Sequence, residues 1–115
     1  MTDLRESDEE IEAWENKRMQ REEDRAKRLT ATQLDLKVTA EDCIWDQTEL
    51  GAEKYDPDEW RKETARRHIR RAIKHSLTAL EILDGDRLND GEDHLAAAVC
   101  RMTMGFWVAD NTKTG

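Results

Sequence analysis

Little in this chain would interrupt a helix. One proline and five glycines are spread over 115 residues. β-Branched residues are sparse as well, and both facts favour helix over sheet. Long apolar runs are missing. A membrane helix needs about 18 consecutive apolar residues, and no such stretch exists. The opening MTDLRESDEE lacks a basic segment followed by an apolar one, so a secretory signal is not expected. Cys43 and Cys100 lie far apart within apolar helical patterns. With no close-spaced partner ligands they read as buried, reduced thiols rather than a disulfide or a zinc site. Together these absences point to the cytoplasm. Gly-rich phosphate loops, G-x-S-x-G elbows and dinucleotide fingerprints are absent too.

What the chain has in abundance is charge. Charged residues make up 40% and hydrophobic ones 37%, with a net charge of −8. That sign argues against general nucleic-acid binding, although a divalent cation can bridge an acidic protein to a phosphate compound. The length fits one domain, and the apolar residues are concentrated after Val38. The expected fold is all-α: a small bundle of about four helices. Residues 1–38 read as a charged helical arm and connector, 39–110 as the core, and 111–115 as a frayed tail.

The first helix is expected over residues 8–29, where Ser7 and Glu10 have capping-box spacing. Its apolar positions are thin (Ile11, Trp14, Met19, Ala26, Leu29), which suits an arm packed on a partner subunit or partly disordered. Residues 30–38 read as a connector. A second helix is expected over 40–55, capped by Thr39 and ended by Asp56-Pro57-Asp58. A third, over 59–83, carries the apolar stripe Ile69, Ile73, Leu77 and Leu80, and its first half is basic. The fourth, over 92–110, is apolar almost all round. It needs cover on several sides, which a second subunit would supply in part.

Chemistry is suggested first by the second helix. Asp42, Asp46, Glu49 and Glu53 share one face at 3.6 residues per turn. Like charges at this spacing repel unless water screens them or a cation neutralises them. The stripe is thus either a solvated acidic face or a site for a hard divalent cation. Glu81 and Asp84 form another acidic pair, three residues apart, and facing pairs of this kind build carboxylate metal sites in helical bundles. His68 and His75 flank the third helix's stripe, and His94 lies at the matching flank of the fourth. Each is either a hydrogen-bonded boundary histidine or a group that contacts phosphate, orients a carboxylate or binds metal. Arg101 interrupts an apolar helix and needs a carboxylate or a phosphate. The basic run from Arg61 to Lys74 can hold a triphosphate or balance the acidic face.

These residues carry a resemblance. Gly51-Ala-Glu-Lys-Tyr55 followed by Asp58-Glu-Trp60-Arg61-Lys62 resembles the G-A-x-K-Y and N-W-R-K segments of phage and bacterial dATP/dGTP diphosphohydrolases. Lys74-His75, Gly85-Asp86 and Gly91-Glu-Asp-His94-Leu-Ala-Ala-Ala98-Val-Cys100 are similar to that group's R-H, G-E and G-x-x-H-L-A-H-A-x-C. Asp46-x-x-Glu49 and Glu81-x-x-Asp84 resemble the acidic pairs of the wider MazG-like group. The likeness covers residues 42–106 and leaves the arm outside. Glu59, Asp86, Ala97 and Arg101 depart from the pattern, which usually has Asn, Glu, His and often Asn at those places.

The resemblance implies a dimeric, all-α nucleotide pyrophosphohydrolase using Mg²⁺ or Mn²⁺. It would split a nucleoside triphosphate into a monophosphate and pyrophosphate. Asp46, Glu49, Glu53, Glu81 and Asp84 are the implied metal ligands, with Glu49, Glu53, His75 and His94 as catalytic groups. Lys54, Arg61, Lys74 and Arg101 would meet the phosphates. Two other readings stand beside it: a non-catalytic protein sequestering a nucleotide or a protein on the same scaffold, and a structural helical oligomer.

Overall fold

The computed structural model describes residues 7–112. Every regular element among them is helical: α1 (Asp8–Ala52), a 3-10 helix (Glu59–Lys62), α2 (Ala65–Leu83) and α3 (His94–Asn111). Three α-helices therefore stand where about four were expected. By contact the chain divides into two compact units, Met1–Lys37 and Val38–Gly115.

The described part of the first unit is helix throughout. The Ser7 hydroxyl accepts a hydrogen bond from the Glu10 N–H at 3.2 Å, the first half of the expected capping box. Asp8, Glu9 and Glu10 fill the first turn, where the helix dipole favours negative charge. Side chains one turn apart hold one another, as in Gln20 to Asp24 at 3.1 Å and Arg18 over the Trp14 ring at 5.4 Å.

The connector expected at residues 30–38 is not formed, and Thr39 does not cap a second helix; both lie inside α1. The physical reason is the lack of any breaker before Gly51. A threonine inside a helix satisfies its hydroxyl by donating to the carbonyl one turn back, at a small cost that does not end the helix. Here Thr30 donates to the Ala26 carbonyl at 3.0 Å and Thr48 to the Ile44 carbonyl at 2.7 Å, one turn back in each case. No residue of α1 is buried.

Residues 53–64 form turns. The Asp56 side chain accepts from the Asp58 N–H at 3.0 Å, as the Asp-Pro-Asp sequence favours. The third helix does not start at Glu59. The 3-10 turn comes first, and α2 begins after Thr64, whose hydroxyl accepts from the Arg67 N–H at 3.1 Å. Helix α2 ends in a Schellman motif. Gly85 takes a φ of +79°, its N–H donates to the Ile82 carbonyl at 3.1 Å, and the Asp86 N–H reaches the Glu81 carbonyl at 2.9 Å. Helix α3 starts at His94 rather than at residue 92, and Asp93 caps it by accepting from the Ala96 N–H at 3.0 Å. Helix α3 runs to Asn111, the first residue of the expected tail, and residues 113–115 of that tail lie outside the described residues.

The core is the contact between α2 and α3, with the 3-10 helix against α3. It is built from small residues: Ala72 and Ala79 face Ala96, Ala97, Cys100, Gly105 and Val108. A Cβ on Gly105 would lie 3.3 Å from the His68 Cβ and from the Ile69 Cγ1, so glycine sets how closely the helices approach. The stripe Ile69, Ile73, Leu77 and Leu80 is not this core. Its members are 39 to 55% exposed. Close backbone approach selects the small face of α2, and the large apolar face beside it points elsewhere. The same holds for Leu95, Met102 and Phe106 on α3.

Candidate functional site

Two polar clusters cross the α2–α3 contact. The first joins His75 on α2 to His94 at the start of α3. Their Nδ1 atoms are 2.9 Å apart, and the rings are 5.2 Å apart by centroid. The loop before α3 sets up this contact. Gly91 at φ +80° makes the turn, and the Asp90 Oδ1 accepts from the Glu92 N–H at 3.0 Å. The other oxygen of Asp90 is 2.8 Å from the His94 Nε2. That bond places a proton on Nε2 and leaves the His94 Nδ1 as the acceptor in the neutral ring. His75 Nδ1–H is then the donor between them. Glu92 adds a carboxylate oxygen 3.8 Å from the His94 Nε2.

Burial holds His75 below the ordinary imidazole value of 6.5. Glu92 pulls it back up, and His94, Arg101 and Lys74 press it down. The Asp90 carboxyl is lowered, first by its bond to His94 and then by the Glu92 backbone N–H. Among the described residues, His75, Glu92 and His94 form the one group of three ligand-type side chains within 4.8 Å of one another.

The second cluster is structural. His68 is fully buried. Its Nε2 donates to the Trp60 carbonyl at 2.7 Å, and its Nδ1 accepts from Arg101 at 3.2 Å. The Arg101 Nη1 also reaches Glu63 at 3.3 Å, and Arg67 meets the same carboxylate at 3.4 Å. Arg101 thus has the carboxylate that its place in an apolar helix requires. Nearby, the Arg61 guanidinium lies 4.6 Å from the centroids of both Trp60 and Trp107 and 3.2 Å from Asp58.

The other residues singled out in the sequence are not gathered. Asp46, Glu49 and Glu53 are exposed on or just past the last turns of α1, and Glu49 accepts from the Trp45 indole at 2.8 Å. Lys54 is exposed in the turn beyond. Glu81 pairs with Arg87 at 3.3 Å, and Asp84 is the C-cap of α2. Lys74 is exposed. An open groove of about 780 Å³ runs along the basic start of α2 between Lys62, Arg66, Arg67, Arg70 and Arg71. Its walls are charged side chains, unlike the mostly apolar lining of small-molecule sites. Cys100 is buried and Cys43 half-buried, both free. Burial raises the Cys100 thiol, Arg101 opposes this, and Cys43 adds to it.

Sequence reasoning missed Asp90, Glu92 and Glu63. Asp90 stood in what read as plain loop, although Asp90 and His94 have the four-residue spacing of a side-chain pair, and Glu92 was read only as the first residue of a helix. Glu63 had no such signal, since it meets Arg101 only through the fold.

The described residues are thus all-helical, with exposed acidic pairs near the ends of α1 and α2 and a histidine–carboxylate cluster where α2 meets α3. Residues 18–115 match the family model described as dATP/dGTP diphosphohydrolase, N-terminal, and the chain belongs to that family. The match starts well before residue 42 and takes in most of the arm, beyond the span that the motifs had suggested. No curated protein and no solved structure matches the chain. No helix among the described residues is long and apolar enough to cross a membrane.

Proposed function

We propose that the protein is a divalent-metal-dependent nucleoside triphosphate pyrophosphohydrolase that works as a homo-oligomer. Family membership supports the substrate class. The observation that carries the metal reading is where the acidic pairs sit. Asp46, Glu49 and Glu53 cluster at the C-terminal end of α1, and Glu81 and Asp84 at that of α2, with no basic residue in either last turn. A helix C-terminus already carries partial negative charge. Both ends therefore place carboxylates where the backbone opposes them, and a bound cation would relieve that repulsion. Exposed carboxylate oxygens are the donors that Mg²⁺ and Mn²⁺ prefer, so these residues fit the ion. Bound there, the ion would polarise a phosphate and activate water.

The chain's own groups do the rest. Glu49 or Glu53 would take the proton of the attacking water. Lys54, Lys74 and Arg61 would neutralise charge on the phosphates. Arg101, tied to Glu63 and His68, would act by holding α3 to the start of α2. A second copy is part of the proposal because one chain leaves the two acidic pairs apart and its large apolar face open. Glu49→Gln combined with Asp84→Asn should abolish turnover with helicity unchanged. Turnover at the original rate would sink the site assignment.

A further inference from the structure

We propose that His75, His94 and Glu92 form a binding site for a borderline-soft divalent cation such as Zn²⁺, separate from the carboxylates of the proposed hydrolytic centre. The nitrogen pair points to it. Two imidazole Nδ1 atoms converge to 2.9 Å across the α2–α3 contact. Zinc–nitrogen bonds of about 2.0–2.1 Å place two neighbouring ligands roughly 2.8–3.4 Å apart for bond angles between 90° and 109°. The rings would part by only a few tenths of an ångström to admit the ion. Glu92 offers a third ligand, with a carboxylate oxygen within 4.8 Å of a ring nitrogen of each histidine.

The surroundings have the form that metal histidines take. A ligating imidazole ordinarily gives its other N–H to a carboxylate, which fixes the tautomer and orients the ring. The His94 Nε2 meets Asp90 at 2.8 Å, and Asp90 is itself fixed by the Glu92 N–H. The His94 Nδ1 lone pair is thereby aimed at His75. On binding, the His75 proton moves from Nδ1 to Nε2, so both Nδ1 atoms are free to ligate. Burial already keeps His75 in its neutral, ligating form. Two nitrogens and one oxygen select zinc-type ions over Mg²⁺, which demands oxygen. Three protein ligands leave a coordination position open. Lys74 and Arg101 act on His75 as neighbouring positive charges, so the open position favours an anionic oxygen.

The test is a long-range ¹H–¹⁵N spectrum of the histidine rings of the full chain, titrated with Zn²⁺ at pH 7.5. The Nδ1 signals of His75 and His94 should shift and saturate at one ion per chain. His68, whose Nδ1 is engaged by Arg101, serves as the internal control and should not move. Millimolar Mg²⁺ should leave the shifts in place. His75→Asn, checked for helicity, should weaken Zn²⁺ binding at least tenfold by calorimetry. Unmoved His75 and His94 signals, equal movement of His68, or displacement of Zn²⁺ by Mg²⁺ would each overturn the site. Hydrolysis is not read out, so this result and the fate of the proposed activity are independent.

Discussion

Replacing Ile73 and Leu77 with alanine should break the proposed homo-oligomer and leave the chain folded. Both side chains stand on the open stripe of α2, 50% and 55% exposed. Fully burying such a side chain stabilises by about 1.5–3 kcal/mol. Half of that is already realised within the chain, which leaves about 1 kcal/mol for each on association. A two-fold interface uses every contact twice. The double variant should therefore cost about 4 kcal/mol, close to a thousandfold in Kd. Alanine is the best helix former, so α2 itself does not suffer. Sedimentation velocity over a concentration series reads the dissociation constant, and circular dichroism reads the helicity. A monomeric parent at every concentration would refute the reasoning. So would a double variant that associates as tightly as the parent.

Two further outcomes follow from the polar clusters. Arg101→Met removes the donor to the His68 Nδ1 and leaves a buried acceptor unpaired, which should cost about 1–3 kcal/mol in chemical denaturation; an unchanged midpoint would show that Arg101 is not structural. The folded-state pKa of His75 lies below its ordinary value, so the unfolded chain binds the proton more readily. Stability should hold above pH 6.5 and fall as the pH drops below it, with Glu92 softening the loss and His94, Arg101 and Lys74 deepening it. His75→Asn should flatten that slope in thermal melts between pH 5 and 8, and an equally steep slope in the variant would assign it elsewhere.

Much of the fold was legible because its signals are local. Gly85 marks a real end, and α2 stops at Leu83 where the sequence puts it, whereas α1 stops at Ala52, three residues before the end expected from Asp56-Pro57-Asp58. The unbroken α1 was not legible. Residues 30–38 read as a connector, whereas with no glycine or proline before Gly51 the helix runs on through them. The stripe on α2 was read correctly as a stripe and wrongly as core, because periodicity finds an apolar face without saying what covers it. The histidines show the same division. Matching flanks brought His75 and His94 into one argument. The loop geometry of Asp90 and the tertiary partners of Arg101 depend on contacts between distant residues, which no spacing rule encodes.

The central claim is hydrolysis, and pyrophosphate release tests it most directly. The protein would be given a panel of ribo- and deoxyribonucleoside triphosphates with Mg²⁺, with Mn²⁺ and with EDTA. The account predicts metal-dependent release of pyrophosphate and a monophosphate from one or a few of them, abolished by EDTA. Silence across the panel from folded, oligomeric protein would contradict it and favour a nucleotide-sequestering role on the same scaffold.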